Sequence, residues 1–362
     1  VVSLNYSDAM NEALARMDDL GYERGTDGDL ANHGPMGAEA LATLGFVDEV
    51  GPWTEYYRNV LPFYDPPQAR FAIDPSDESS WRGALGEFDR AGDWEQLFAR
   101  ELAESPWRTV LVRWWPRLLP GLMASLTHGL IRTAHAVRGL AAAPAPSPAQ
   151  LTELARGLAF WAARFHELPG RARMAGDRTV AEAVAALPRV PLPKPAPVGM
   201  LAQRLRTAPT RPGYRENLDA LAELDPQWLL SELTAEFAGV YLAHPQGNPV
   251  PLVHAVTAPA AARLVLPHLP TELHMPTVAA LWQMHLALLL TATGDAKGEG
   301  TALAAARAAE VPTFGELAAR AAEHRDEHVI KFTEACLREH LLRPDPRYAA
   351  AVMSAQRRIS RH

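Results

Sequence analysis

Thiol chemistry is nearly missing from this chain. Its 362 residues include one cysteine. That excludes an internal disulfide framework and any cysteine-ligated zinc or iron–sulfur site, because those need several thiolates. Basic charge is in deficit, with 35 Lys and Arg against 42 Asp and Glu and a formal net charge of −7. A broad phosphate-binding surface depends on clustered cations, so nucleic acid is not an expected partner. No uninterrupted run of about 18 apolar residues occurs, as a bilayer-spanning helix would need. The strongest apolar stretch, around Leu286 to Leu290, is far shorter. Residues 1–25 carry Asp8, Glu12, Asp18 and Asp19 without a continuous apolar segment, which argues against a signal peptide. The expectation is a soluble, cytoplasmic protein with no membrane partner. Nucleotide signatures are also lacking. There is no G-x-G-x-x-G turn, no P-loop and no G-x-S-x-G nucleophile elbow.

Proline, by contrast, is plentiful at 31 residues, and it clusters. Residues 141–149 read AAAPAPSPA, and 188–197 carry Pro188, Pro191, Pro193, Pro195 and Pro197. Both stretches break helices and suit extended connectors. Between such breaks alanine and leucine dominate. The pattern predicts helices over 147–165, 276–290, 301–309, 314–341 and 345–358. Ser147-Pro148 and Asp225-Pro226 place a capping oxygen ahead of a first-turn proline, whose missing N–H costs nothing there. No convincing hairpin turn joins alternating strands. The fold class is all-α: a single large multi-helix domain over 1–362 with proline-rich connecting loops.

The thirteen histidines fall in a pattern. Residues 117–140 read RLLPGLMASLTHGLIRTAHAVRGL and suit a helix from Gly121. His128, Arg132 and His135 then lie within roughly 60° of one another. Gly121, Ala124 and Gly139 share that face. A solvated face normally carries Lys and Glu, so small residues beside histidines suit a lined cavity or a close helix contact as well as a polar surface. A second stripe, HRDEHVIK over 324–331, places His324, His328 and Lys331 on one helical face. Its plain reading is a charged outer stripe in which Glu327 pairs with Lys331, worth a few tenths of a kcal/mol. The same residues match the inverted zinc-protease pattern H-x-x-E-H. We set that aside, because only 34 residues follow His328 and the glutamates there, Glu334 and Glu339, lie within the next turns. His33 stands at a helix entrance in NHGPM, and His254 lies between Pro251 and Pro259. Each alone reads as a histidine bonded to a backbone carbonyl.

Together, NHGPMGAEAL at 32–41, the 117–140 segment, HAVTAPAA at 254–261 and EHVIKFTEAC at 327–336 resemble the questin oxidase-like family. The resemblance implies oxidative ring opening of aromatic polyketides such as anthraquinones, of Baeyer–Villiger type or by direct C–C cleavage. It implies non-haem iron held by four histidines and a lysine carboxylated on its amine, here Lys331, with O2 as co-substrate. Neutral imidazoles suit Fe(II), and carboxylation needs a neutral amine, hence a desolvated lysine. His33, His128, His254 and Lys331 are the first choices, with His328 or His135 as the fourth histidine. Family members often carry a second histidine where this chain has Arg132. Arg132 is therefore assigned a catalytic role in binding an anionic phenolate or quinone oxygen. Aromatics between 46 and 123, such as Trp53, Tyr56, Tyr57, Trp114 and Trp115, would wall a flat apolar pocket or simply fill the core. NADPH is compatible with the family as reductant, although no motif supports it. Two rival readings stand beside this one. A metal-dependent hydrolase with a His and carboxylated-lysine site would need a β/α barrel that the pattern lacks. A metal-free helical binding protein would hold no metal at all. Oligomeric state is not readable from the sequence.

Overall fold

A computed structural model describes residues 5–25, 30–189, 200–245, 247–293 and 296–361. The proline-rich stretch predicted as a connector lies outside these residues from 190 to 197, as does Gly294. The described chain is all-α, and it divides into two compact units.

The first unit comprises 1–167 and 264–270. Its helices are α1 (Tyr6–Arg16), α2 (Gly34–Thr43), α3 (Val47–Val60), α4 (Glu78–Ala84), α5 (Ala91–Glu104), α6 (Trp107–Leu118), α7 (His128–Ala142) and α8 (Pro148–Ala163). Ser147 caps α8 as its sequence predicts. Its hydroxyl accepts from the Gln150 N–H at 3.1 Å, and the Gln150 side chain accepts from the Ser147 N–H at 3.0 Å. Such a cap contributes about 1 kcal/mol. Helices α7 and α8 pack closely because Gly129 lies against the backbone of Trp161 and Gly157 against that of Thr133, where any Cβ would collide. Trp94, Phe98 and Trp114 form an edge-on aromatic cluster between α5 and α6. Trp53, Tyr57, Trp114 and Trp115 are all buried, and only Tyr56 is half-buried. Of the two roles considered for these rings, core packing is the one seen for Trp114 and Trp115, whose edges meet Trp94 and Trp161. One short antiparallel pair, β1 (Glu23–Arg24) with β2 (Leu30–Ala31), leads into α2.

The second unit comprises 168–263 and 271–362. It holds α9 (Val180–Ala186), α10 (Met200–Thr207), α11 (Pro226–Ala243), α12 (Pro249–Val265), α13 (His274–Ala292), α14 (Glu299–Ala308), α15 (Phe314–His324), α16 (Glu327–Leu342) and α17 (Pro346–Arg358). Asp225 caps α11 through the Trp228 N–H at 2.9 Å, as predicted. Segments Pro249–His268 and Thr271–Ala292 are long and apolar enough to cross a membrane by length and composition, but 78% of each is buried inside the protein. Neither is an unbroken apolar run, since His254, Thr257 and Arg263 interrupt the first and Gln283 and His285 the second.

Two predicted helices are corrected. The helix expected from Gly121 begins at His128, because Ser125, Leu126 and Thr127 have φ of 47°, 53° and 68° and form a left-handed turn. The helix expected over 314–341 is two helices. Arg325 turns left-handed at φ 67°, and Asp326 caps a fresh start by accepting from the N–H groups of His328 at 2.8 Å and Val329 at 3.2 Å. His324 and His328 therefore do not share a helical face. His324 ends α15 and bonds through Nε2 to the Ile359 carbonyl at 3.0 Å.

Candidate metal centre

In the first unit, the loop entering α2 is built around Asn32. Its amide nitrogen donates to the Gly21 carbonyl at 2.9 Å, and its oxygen accepts from the Gly34 N–H at 2.9 Å. The backbone N–H of His33 donates to the Tyr57 hydroxyl oxygen at 2.7 Å. These bonds leave His33 at the N-cap of α2 with its ring buried at 3% exposure. The ring is oriented by Nδ1, which donates to the Ala31 carbonyl at 2.7 Å. His128 opens α7 and orients its ring in the same manner, with Nδ1 donating to the Ser125 carbonyl. A carbonyl can only accept, so each bond fixes the proton on Nδ1 and leaves Nε2 deprotonated in the neutral ring. The two Nε2 atoms lie 2.7 Å apart, with the rings nearly perpendicular at 85°. Two imidazole lone pairs at that distance repel unless a proton or a metal cation attracts both. Binding one ring nitrogen to a backbone acceptor is also how proteins set the outward nitrogen for a metal.

The left-handed turn belongs to this arrangement. Non-glycine residues in that conformation cost about 1–2 kcal/mol each. Such strain gathers where a functional side chain must be aimed, and here it presents the Ser125 carbonyl to the His128 ring.

The second unit carries another histidine pair. His254 lies within α12, with Nδ1 donating to the Val250 carbonyl one turn earlier at 2.9 Å. His328 lies in the first turn of α16, with Nδ1 at 3.4 Å from Asp326 Oδ1. The carbonyl bond fixes the His254 proton on Nδ1 in the neutral ring. The ring centroids are 5.9 Å apart. Asp326 and Glu327 add carboxylate oxygens, and their ligand atoms and that of His328 lie within 4.8 Å of one another. Lys331 follows His328 by three residues and is buried at 2% exposure.

Each unit thus offers donors of its own: the His33 and His128 imidazoles in the first, and the Asp326, Glu327 and His328 group, able to hold a metal ion, in the second. The donor chemistry fits a borderline divalent metal such as Fe(II), which accepts neutral imidazole and carboxylate together. His135, the other choice for the fourth ligand, bonds through Nδ1 to Glu39 Oε2 at 2.5 Å.

Arg132 follows His128 by one helical turn, and its guanidinium is paired with Glu153 through Nε at 2.6 Å and Nη2 at 3.0 Å. Burial opposes its charge, but Glu153 outweighs burial and raises its pKa. Arg132 lines a cavity of about 300 Å³ together with Leu14, Met17, Pro35, Glu153 and Arg156. A second, water-sized cavity of about 20 Å³ touches Glu39, His135 and Gly139. Gly139 thus does line a cavity, as its place beside the histidines suggested.

Sequence reasoning missed Asn32, Asp326 and Glu39, and it gave Tyr57 only a wall role. Glu39 had a visible signal, being the sole charged residue in the apolar run GPMGAEALAT of α2. No protein family and no curated protein matches the chain.

Proposed function

We propose that this protein is a non-haem Fe(II)-dependent oxygenase that opens a ring of an anthraquinone-like aromatic polyketide. The observation that carries the reading is the 2.7 Å approach of the Nε2 atoms of two buried histidines, His33 and His128. His33, His128 and His254 each turn Nδ1 to a backbone carbonyl, and His328 turns it toward Asp326. Two deprotonated Nε2 atoms as close as those of His33 and His128 repel, and a shared cation relieves that repulsion.

The ligands of this reading are those the resemblance implies: His33, His128, His254 and Lys331 carboxylated on its amine, with His328 or His135 as the fourth histidine. Bound iron supplies the one-electron chemistry that lets ground-state O2 react with a closed-shell aromatic. The chain's own residues do the rest. Tyr57 and Asn32 hold the His33 loop, and the 125–127 turn holds the His128 ring. Arg132, fixed by Glu153, keeps a permanent positive charge at the cavity wall. Its N–H groups not pointed at Glu153 are the donors we assign to a phenolate or quinone oxygen of the substrate. Leu14, Met17 and Pro35 give that cavity an apolar side on which a flat ring displaces water.

The test is metal analysis of anaerobically purified protein, paired with peptide mass across Lys331 under conditions that retain CO2. Stoichiometric iron and a CO2 adduct on Lys331 are expected. Protein without retained iron after Fe(II) loading, with Lys331 unmodified, contradicts the proposal and favours a metal-free helical binder.

A further inference from the structure

One buried carboxylate in the first unit is over-supplied with donors. Glu39 is 2% exposed. Its Oε1 accepts from the Tyr6 hydroxyl at 2.6 Å, the Thr43 hydroxyl at 3.0 Å and Arg138 Nε at 2.7 Å. Its Oε2 accepts from His135 Nδ1 and Arg138 Nη2, each at 2.5 Å. One side chain of α2 is thereby tied to α1 and, through three directed bonds, to α7. Burial opposes its ionisation, but Arg138 and His135 outweigh burial and hold it well below the ordinary carboxylate range.

The placement of this cluster matters. His33 stands at the head of α2, and Glu39 lies farther along the same helix. His128 stands at the head of α7, and His135 and Arg138 lie farther along that one. The rest of α2 is glycine, alanine, proline, methionine, leucine and threonine. Smooth apolar faces specify axial position and rotation weakly, and slipping by one residue turns a helical side chain by about 100°. A bidentate Arg–carboxylate contact, by contrast, tolerates little displacement. The fork at Glu39 therefore fixes what apolar packing leaves loose.

We infer that Glu39 is a positioning residue for the candidate metal centre: its bonds to His135 and Arg138 set the register of α2 on α7 and thereby hold the Nε2 atoms of His33 and His128 at their spacing. This inference rests on the function proposed above, and its test separates the two.

The full-length protein is prepared as wild type, Glu39→Gln and Thr43→Val. Glutamine keeps the side-chain shape but removes the charge and one acceptor oxygen. Thr43→Val removes a donor that lies within α2 itself. Imidazole ¹⁵N signals of the metal-free protein report the tautomers of His33 and His128. Titration with Co(II), followed by its visible spectrum, reports affinity and coordination. For Glu39→Gln we expect the fixed Nδ1–H signals of both histidines to shift or exchange-broaden. Co(II) binding should weaken about 10- to 100-fold, the range for losing a residue behind the ligands, with an altered spectrum. Thr43→Val should leave both readouts in place. Should Glu39→Gln fail to fold, Arg138→Lys, which keeps the charge and loses the fork, should move both readouts the same way by less. A lower Tm with unchanged histidine signals and unchanged Co(II) affinity overturns the inference and makes Glu39 a structural clamp only. If the wild-type protein takes up no Co(II), the proposed function fails, and the imidazole signals alone still decide whether Glu39 sets the register.

Discussion

The two histidine pairs solve the same problem with different materials. In the first unit, both histidines sit at helix starts and both rings are aimed by irregular backbone: the Asn32 loop for His33 and a left-handed turn for His128. The outcome is a tight pair, with Nε2 atoms 2.7 Å apart and ring centroids 4.4 Å apart. In the second unit, His254 is aimed by its own helix and His328 by the cap of its helix. The pair there is wider, with ring centroids 5.9 Å apart, and it is accompanied by carboxylates and a buried lysine. Strained backbone gives a preset pair of imidazoles. Regular helix gives a looser pair beside carboxyl groups. The lesson is that the first pair is defined by its backbone geometry, and the second by the carboxyl groups and lysine beside it.

The strongest way to break the comparison is to remove one of its tight partners. His128→Ala should weaken Fe(II) or Co(II) binding by more than about 100-fold, beyond the loss of a residue that merely supports a ligand. The metal-free Tm should change little, because the Nε2 repulsion is relieved at the same time. A large fall in Tm with metal binding retained would make His128 a packing residue.

Acid should separate the two units next. In the second unit, burial holds His285 neutral and lowers its pKa from 6.5 to about 4, against a bond to the Ala255 carbonyl that works the other way. As pH falls through 6.5, the unfolded chain takes up this proton and the folded chain does not until about 4. Stability from this group is therefore full above pH 6.5, declines between 6.5 and 4, and levels off below. The loss is about 3 kcal/mol. Glu39 in the first unit stays ionised through the same window. Hydrogen exchange at pH 7.5 and pH 4.5 should show α12 and α13 losing protection before α2 and α7, and His285→Gln should flatten the dependence. Equal loss in both regions would contradict the contrast.

A smaller effect is expected at the cap of α16. Asp326→Ala should cost about 1 kcal/mol of stability through the lost cap, and weaken metal binding about 10- to 100-fold by releasing the His328 ring. Denaturant titration and Co(II) titration read the two parts separately.

The smallest effect has the opposite sign. Thr127→Gly should raise metal-free stability by about 1 kcal/mol, because glycine adopts a left-handed conformation without the steric cost. A destabilised variant would mean that contacts of the Thr127 side chain outweigh the strain.

Much of this architecture was legible in the chain because the signals are local. Helical periodicity over 147–165 and the Ser-Pro and Asp-Pro caps depend on neighbours in sequence, and α8 and α11 begin where those caps place them. The break at Arg325 was not legible, because HRDEH reads as continuous helix unless Asp326 is recognised as a cap. The 125–127 turn was not legible either, since SLT contains no glycine to signal positive φ. His33, His128, His254 and His328 could be picked out by position, but not His135's true partner. Glu39 and Glu153 find His135 and Arg132 only through tertiary packing, 96 and 21 residues away. Sequence spacing carries helix faces; it does not carry which faces meet.

The central claim is that His33 and His128 offer Nε2 to a metal. Diffraction from crystals loaded anaerobically with Fe(II), collected on both sides of the iron absorption edge, tests it most directly. The account predicts an anomalous iron peak bonded to Nε2 of both rings, with Nδ1 of each still donating to Ala31 and Ser125. No iron peak at that pair, or iron bound through Nδ1, would contradict it.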